Sequence, residues 1–199
     1  MKKVPVYENR TMFFMKLRNK GAVNMNNEMF WEMISNSRKN NKNDSSRFLE
    51  ILTSEISKLP EEDIFEFEKI LIHNLVRSYT SELWAAAYII NGGCSDDGFN
   101  YFQAWLISQG KVIYENAIKD PQSLANVISE DQAGEVEFEE FLGVCADAYK
   151  MKTGKDDFYE NFERIKSSEI ENYPEIELNW SEDESSLEKM FPKLVQKFW

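Results

Sequence analysis

Histidine occurs once in this sequence, as His73, and cysteine twice, as Cys94 and Cys145. A single histidine excludes His-rich metal sites and any triad that needs a second one. Two cysteines so far apart do not make a disulfide framework, and no cysteine–histidine spacing suits zinc. No run approaches the ~18 apolar residues that a membrane span requires. The opening MKKVPVYENRTMFFMKLRNKG scatters charge where a secretion signal would carry an apolar stretch. The phosphate-binding loop, the dinucleotide fingerprint, the zinc-metalloprotease motif and the nucleophile elbow are also missing. Strand patterns are scarce, and repeats and low-complexity segments are absent. These absences lead us to expect a cytoplasmic protein in a reducing compartment, with no cofactor, no bound metal and no membrane association.

What is present is apolar surface and negative charge. Hydrophobic residues make up 42% of the 199 residues and aromatics 14%, enough to build a sizeable core and too much for a disordered chain. The formal net charge is -12, of which -11 falls between Glu130 and Trp199. A field of that sign repels nucleic acid and favours a basic partner. The simpler reading of the same charge is solubility.

Residues 1–24 differ from the rest. They hold six Lys/Arg against one Glu and show neither a helical period nor alternation. Lys20-Gly21 must be encoded by codons resembling a ribosome-binding site, at a suitable distance before Met25. We therefore expect Met25 to be the initiator, with the upstream residues a mis-assigned or disordered extension; a genuine basic arm is the rival. Residues 25–199 are expected to form one domain with an acidic C-terminal third.

Within that domain the apolar spacing is helical almost throughout, which predicts an all-α fold of roughly seven to nine helices with little or no sheet. Asn26 or Asn27 caps a first helix with Met29, Phe30, Met33 and Ile34 inward. Asp44 caps a second, facing inward with Phe48, Leu49, Leu52, Ile56 and Leu59. Pro60 opens a third at its first position, with Glu61, Glu62 and Asp63 where the dipole favours acids. Thr80-Ser81 breaks it from the next. Asp120-Pro121 starts another short helix. A long helix is expected from about Val136, with Gly154 just past its end. Ser181–Glu184 and Ser185–Glu188 both fit a capping box before one terminal helix.

The stretch NGGCSDDGFNYFQAWLISQG, residues 91–110, holds the best candidate site. Gly92 or Gly93 suits a helix end, Ser95 an N-cap, and Asp96 and Asp97 a first turn. Gly98 is left over, because glycine in a helix costs ~1 kcal/mol against alanine. It suggests close approach by another backbone, a ring or a ligand. Ser95, Asp96, Asp97, Gly98, Tyr101 and Trp105 are thus candidate site residues, with the two aspartates as metal ligands or an acid–base pair. Their divergence by ~100° along a helix argues against convergence on one ion. Cys94, at a possible helix start, reads as a small buried residue in the absence of a basic partner. His73 reads as a packed or boundary residue and Cys145 as core. Glu135, Glu137, Glu139 and Glu140 are the candidate partner surface.

Three blocks, FWEMI, LWAAAYIINGGCSDDGFNYFQAWLISQGKVIYENAIKDPQSLA and MFPKLVQKFW, resemble a bacterial family known as domain-of-unknown-function family 4240. The similarity runs from about Asn27 to the end and leaves out residues 1–24. It implies a small soluble bacterial protein and no particular reaction, cofactor or ligand. On charge and size alone, the functional expectation is a non-enzymatic protein-binding module, one form being an immunity or antitoxin-like inhibitor of a basic protein. The alternative is an enzyme, or a small-molecule or metal binder, with a pocket at Ser95–Gly98.

Overall fold

The computed structural model describes residues 24–39, 41, 44–165 and 173–199. The expectations for the basic extension therefore lie, Asn24 apart, outside the described residues. The described residues form ten α-helices and three short 3-10 segments around one apolar core, and they include no strand. The all-α expectation holds, with one helix more than the upper figure.

The first helices follow their caps. In α1 (Asn27–Arg38) the Asn26 side chain accepts the Met29 N–H, and Phe30, Trp31, Met33 and Ile34 are buried. In α2 (Ser45–Ile56) Asp44 accepts the Arg47 N–H. Pro60 stands one place before α3 (Glu61–Ser78), as its cap residue rather than its first position. The acids of its first turn are present, and Asp63 also accepts the Met25 N–H at 2.9 Å. The break at Thr80-Ser81 is present, and Thr80 caps α4 (Ser81–Asn91). Leu83 through Ala87, Ile89 and Ile90 are all buried, so α4 is apolar on nearly every side and runs through the interior. Helices α5 (Asp96–Ser108) and α6 (Lys111–Lys119) follow it. Asp120 and Pro121 cap and open the next segment as expected, but Pro121–Asn126 is a 3-10 turn rather than an α-helix.

The long helix expected from Val136 starts later. Residues 133–138 are not helical, Glu139–Gly143 is a 3-10 turn, and α7 runs only from Val144 to Thr153. The reason is a set of competing backbone bonds. Val136 N–H donates to Asn91 Oδ1 at 3.1 Å, and Asn91 Nδ2 donates to the Val136 carbonyl at 3.3 Å. Phe138 N–H donates to the Tyr101 carbonyl at 3.0 Å. Groups committed to other elements cannot close a helical ladder. Gly154 then ends α7 at φ 74°.

Phe158 and Phe162 of α8 (Phe158–Ile165) stack on Phe65 of α3 at 5.3 and 6.3 Å between ring centres. The C-terminus holds two short helices where one is expected, α9 (Glu184–Met190) and α10 (Pro192–Phe198). Asp183 caps α9 by accepting the Ser186 N–H, so neither serine capping box forms there. Pro192 lacks the N–H needed to continue α9, and a new helix opens on it. Helix α10 packs on α4 and α7 packs across α2 and α3, which leaves the α4–α5 connection facing outward beside residues 133–140.

Candidate functional site

The α4–α5 connection folds as its residue types dictate. Gly92 takes φ 67°, and the Gly93 N–H returns to the Tyr88 carbonyl at 2.9 Å. Ser95 Oγ accepts the Gly98 N–H at 3.2 Å, a side-chain cap on the start of α5. Asp96 and Asp97 fill the first turn and are exposed. Beneath them Trp84 and Phe99 stack at 4.8 Å and 15°, and Trp84 Nε1 donates to the Cys94 carbonyl at 3.0 Å. The connection is therefore pinned from below by buried aromatic surface.

Gly98 is accounted for by a neighbour other than those expected. A Cβ there would stand 3.3 Å from Glu137 Oε1, 3.4 Å from Ser95 Oγ and 3.8 Å from Cys94 Sγ. The close approach is a carboxylate from the chain's own 133–138 segment, not a backbone or a ring. The two candidate sets thus meet: Glu137 lies over the helix start, and the Glu139 carboxylate lies beside the Tyr101 hydroxyl. The neighbouring Glu139, with burial and the charges of Asp97 and Glu137 behind it, pushes the Tyr101 phenol up. Trp105, about two turns beyond Gly98, packs on Phe102 at 5.9 Å between ring centres.

The four glutamates lie on extended backbone and a 3-10 turn, where the long helix from about Val136 is expected. Glu135, Glu137, Glu139 and Glu140 are all exposed, while Val136 and Phe138 between them are buried. This is the two-residue alternation of an extended strip with one face in the core. The buried pair anchors it, and Gly134 N–H ties its near end to the Ile90 carbonyl at 3.1 Å.

Chemically, this locus is an array of exposed carboxylates on a backbone that is held in place. Among the described residues, no group of three or more His, Cys, Asp and Glu side chains is placed to hold a metal ion. Cys94 is half-buried, and burial together with the charges of Glu137 and Asp96 pushes its thiol up to about 12. It stays protonated at neutral pH and is a poor nucleophile there. His73, on α3, is exposed.

A second chemically distinct position was not singled out by the sequence. Glu68 on α3 is 7% exposed, and its carboxyl shares a hydrogen bond with the buried Cys145 thiol of α7. Glu68 Oε2 has no hydrogen-bond partner. Burial pushes the Glu68 carboxyl up to about 7, against the smaller opposing effect of the Cys145 bond. The signal was available: Ile64, Glu68, Leu71 and Leu75 recur at helical spacing, so an acid occupies an apolar stripe.

No curated protein and no solved structure matches this chain. Residues 25–151, from the residue before the α1 cap through most of α7, match the family described as "Protein of unknown function (DUF4240)", covering the α4–α5 connection, the glutamate strip and the Glu68–Cys145 pair, and the chain belongs to that family.

Proposed function

We propose that this protein is a non-enzymatic binding module that presents an acidic surface to a basic protein partner in the cytosol. One observation carries the reading. Glu135, Glu137 and Glu139 project outward from a strip whose backbone is bonded to α4 and α5, beside the exposed Asp96 and Asp97. Carboxylates carried on a backbone already held in place steer a basic surface with no cost of ordering that backbone. The same field disfavours nucleic acid. An immunity or antitoxin-like inhibitor of a basic toxin is one concrete form of this reading. A ligand pocket at Ser95–Gly98 gets less support, since Glu137 crowds Gly98 and the Cys94 thiol is protonated.

The test starts with affinity capture from the native host, followed by association kinetics with the captured partner. Reversing Glu135, Glu137, Glu139 and Glu140 to lysine should slow association ~10-fold or more at low salt, because peripheral charges act on encounter. Added salt should reduce the wild-type rate in the same way. An association rate indifferent to both changes would sink the reading.

A further inference from the structure

A second surface, remote in sequence from the glutamate strip, combines aromatic rings with acids. Tyr88 of α4 packs against Trp180 at 5.3 Å between ring centres and against Trp199 at 6.0 Å, the latter nearly parallel at 23°. Trp180 is fixed in orientation, because its Nε1 donates to the Ser81 carbonyl at 3.0 Å. Asn179 beside it bonds Ser81 Oγ and Glu82. Trp199 ends α10 and is 49% exposed. Tyr88 and Trp180 are half-buried at the edge of the core, and Trp199 lies against Tyr88 with half its surface open.

The segment that carries Trp180 is acidic. Residues 173–188 contain Glu175, Glu177, Glu182, Asp183, Glu184 and Glu188 and no lysine or arginine, and the exposed Lys189 and Lys193 follow them. All six acids are exposed. The Glu182 carboxylate lies close enough to the Tyr88 hydroxyl to help burial push that phenol up, which sets a carboxylate beside the aromatic group. The lysine of α10 near Trp199 is engaged elsewhere: Lys197 Nζ donates to the carbonyls of Ala125 and Ile128 at 2.7 and 2.8 Å.

We infer that the Tyr88–Trp180–Trp199 face seats an arginine side chain from a basic segment of a protein partner, with Glu182 and its acidic neighbours as counter-charges. The chemistry selects arginine over lysine. A guanidinium is planar and weakly hydrated, stacks on an indole, and can still donate in its own plane to a carboxylate. An ammonium has neither property to the same degree. This inference rests on the proposed binding function and names the side chain recognised.

The probe is a short, dye-labelled peptide of alternating arginine and glycine, with a lysine–glycine peptide of equal charge beside it. Binding to the full chain is followed by fluorescence anisotropy at low salt. The arginine peptide should bind more tightly, and Trp199→Ala should weaken it about 2- to 30-fold while bringing the two peptides together. Trp199→Phe should retain much of the preference. Far-ultraviolet circular dichroism checks that each variant stays folded, which half-exposed Trp199 makes the expected result. Equal binding of both peptides, unchanged in Trp199→Ala, overturns the arginine seat and leaves general acidic recognition standing. No binding of either peptide also overturns it, while the four-glutamate reversal separately decides the broader reading. Concentration-dependent dimerisation that Trp199→Ala abolishes would assign the face to a second copy and overturn the proposal as well.

Discussion

Glu68 and Glu137 carry the same side chain in two different solvents. Glu137 faces water on a strip whose acids are all exposed. Glu68 sits among α3 and α7 side chains with one oxygen bonded to no group and a proton held up to about pH 7. The contrast shows that residue type alone says little about what a carboxyl does here. Outside, it is a charge available to a partner. Inside, it is about half protonated near pH 7, and ionising it costs the fold.

The largest expected effect comes from breaking that contrast at Glu68. Its proton affinity is raised from an ordinary 4.5 to about 7, so its contribution to stability is fully present below about pH 4.5 and lost as pH rises through about 7. Glu68→Gln, which cannot ionise, should match the wild type near pH 4.5. It should exceed it by an order of about 3 kcal/mol above pH 8. Urea unfolding of both proteins across this range measures the difference; parallel curves would mean that Glu68 is not held neutral. Glu115 works in the opposite direction at lower pH, since the bond from Arg77 holds its carboxyl down.

The next effect sharpens the other side of the comparison. Asn91→Ala removes both side-chain bonds to Val136. At ~0.5–1.5 kcal/mol per bond, the loss should be about 1–3 kcal/mol. Hydrogen exchange should accelerate at the Val136 and Phe138 amides while amides around Glu68 keep their protection. Uniform acceleration would mean that the strip is not a separately held unit.

The smallest effect is at Gly98. Alanine there gains helix propensity and meets Glu137 Oε1 at 3.3 Å, the far end of an exposed side chain that can swing aside. Gly98→Ala should therefore stabilise by a few tenths of a kcal/mol and at most ~1. A clear drop in melting temperature would show that Glu137 is fixed in place.

Features that a few neighbouring residues decide were legible in the sequence. Gly92, Ser95, Asp96 and Asp97 mark the α4–α5 connection because caps and dipoles act within one turn. Gly154 and the buried Cys145 were legible for the same local reason or from helical spacing. The misread stretch is 136–143, where Val136, Phe138, Phe141 and Leu142 fit a helical face as well as a strip. Its conformation is set by Asn91 and Tyr101, each more than 35 positions away, and no local pattern encodes that pairing. The meeting of the glutamates with Ser95–Gly98 was hidden for the same reason. The terminal serines misled differently: Ser181, Asp183 and Ser185 all suit a cap, and Pro192 limits which helix can form.

The strip between Gly134 and Phe138 also bears on how such a surface can change over time. It is held by main-chain groups, by the Asn91 amide and by two buried apolar side chains, none of which involves a glutamate carboxylate. Substitutions at the four outward positions should therefore be nearly free in folding terms, as surface changes usually are. A lineage can rewrite those positions to follow a drifting partner, or to acquire a new one, without renegotiating the core. An engineer can use the same separation and treat the strip as a socket whose outward letters are chosen at will.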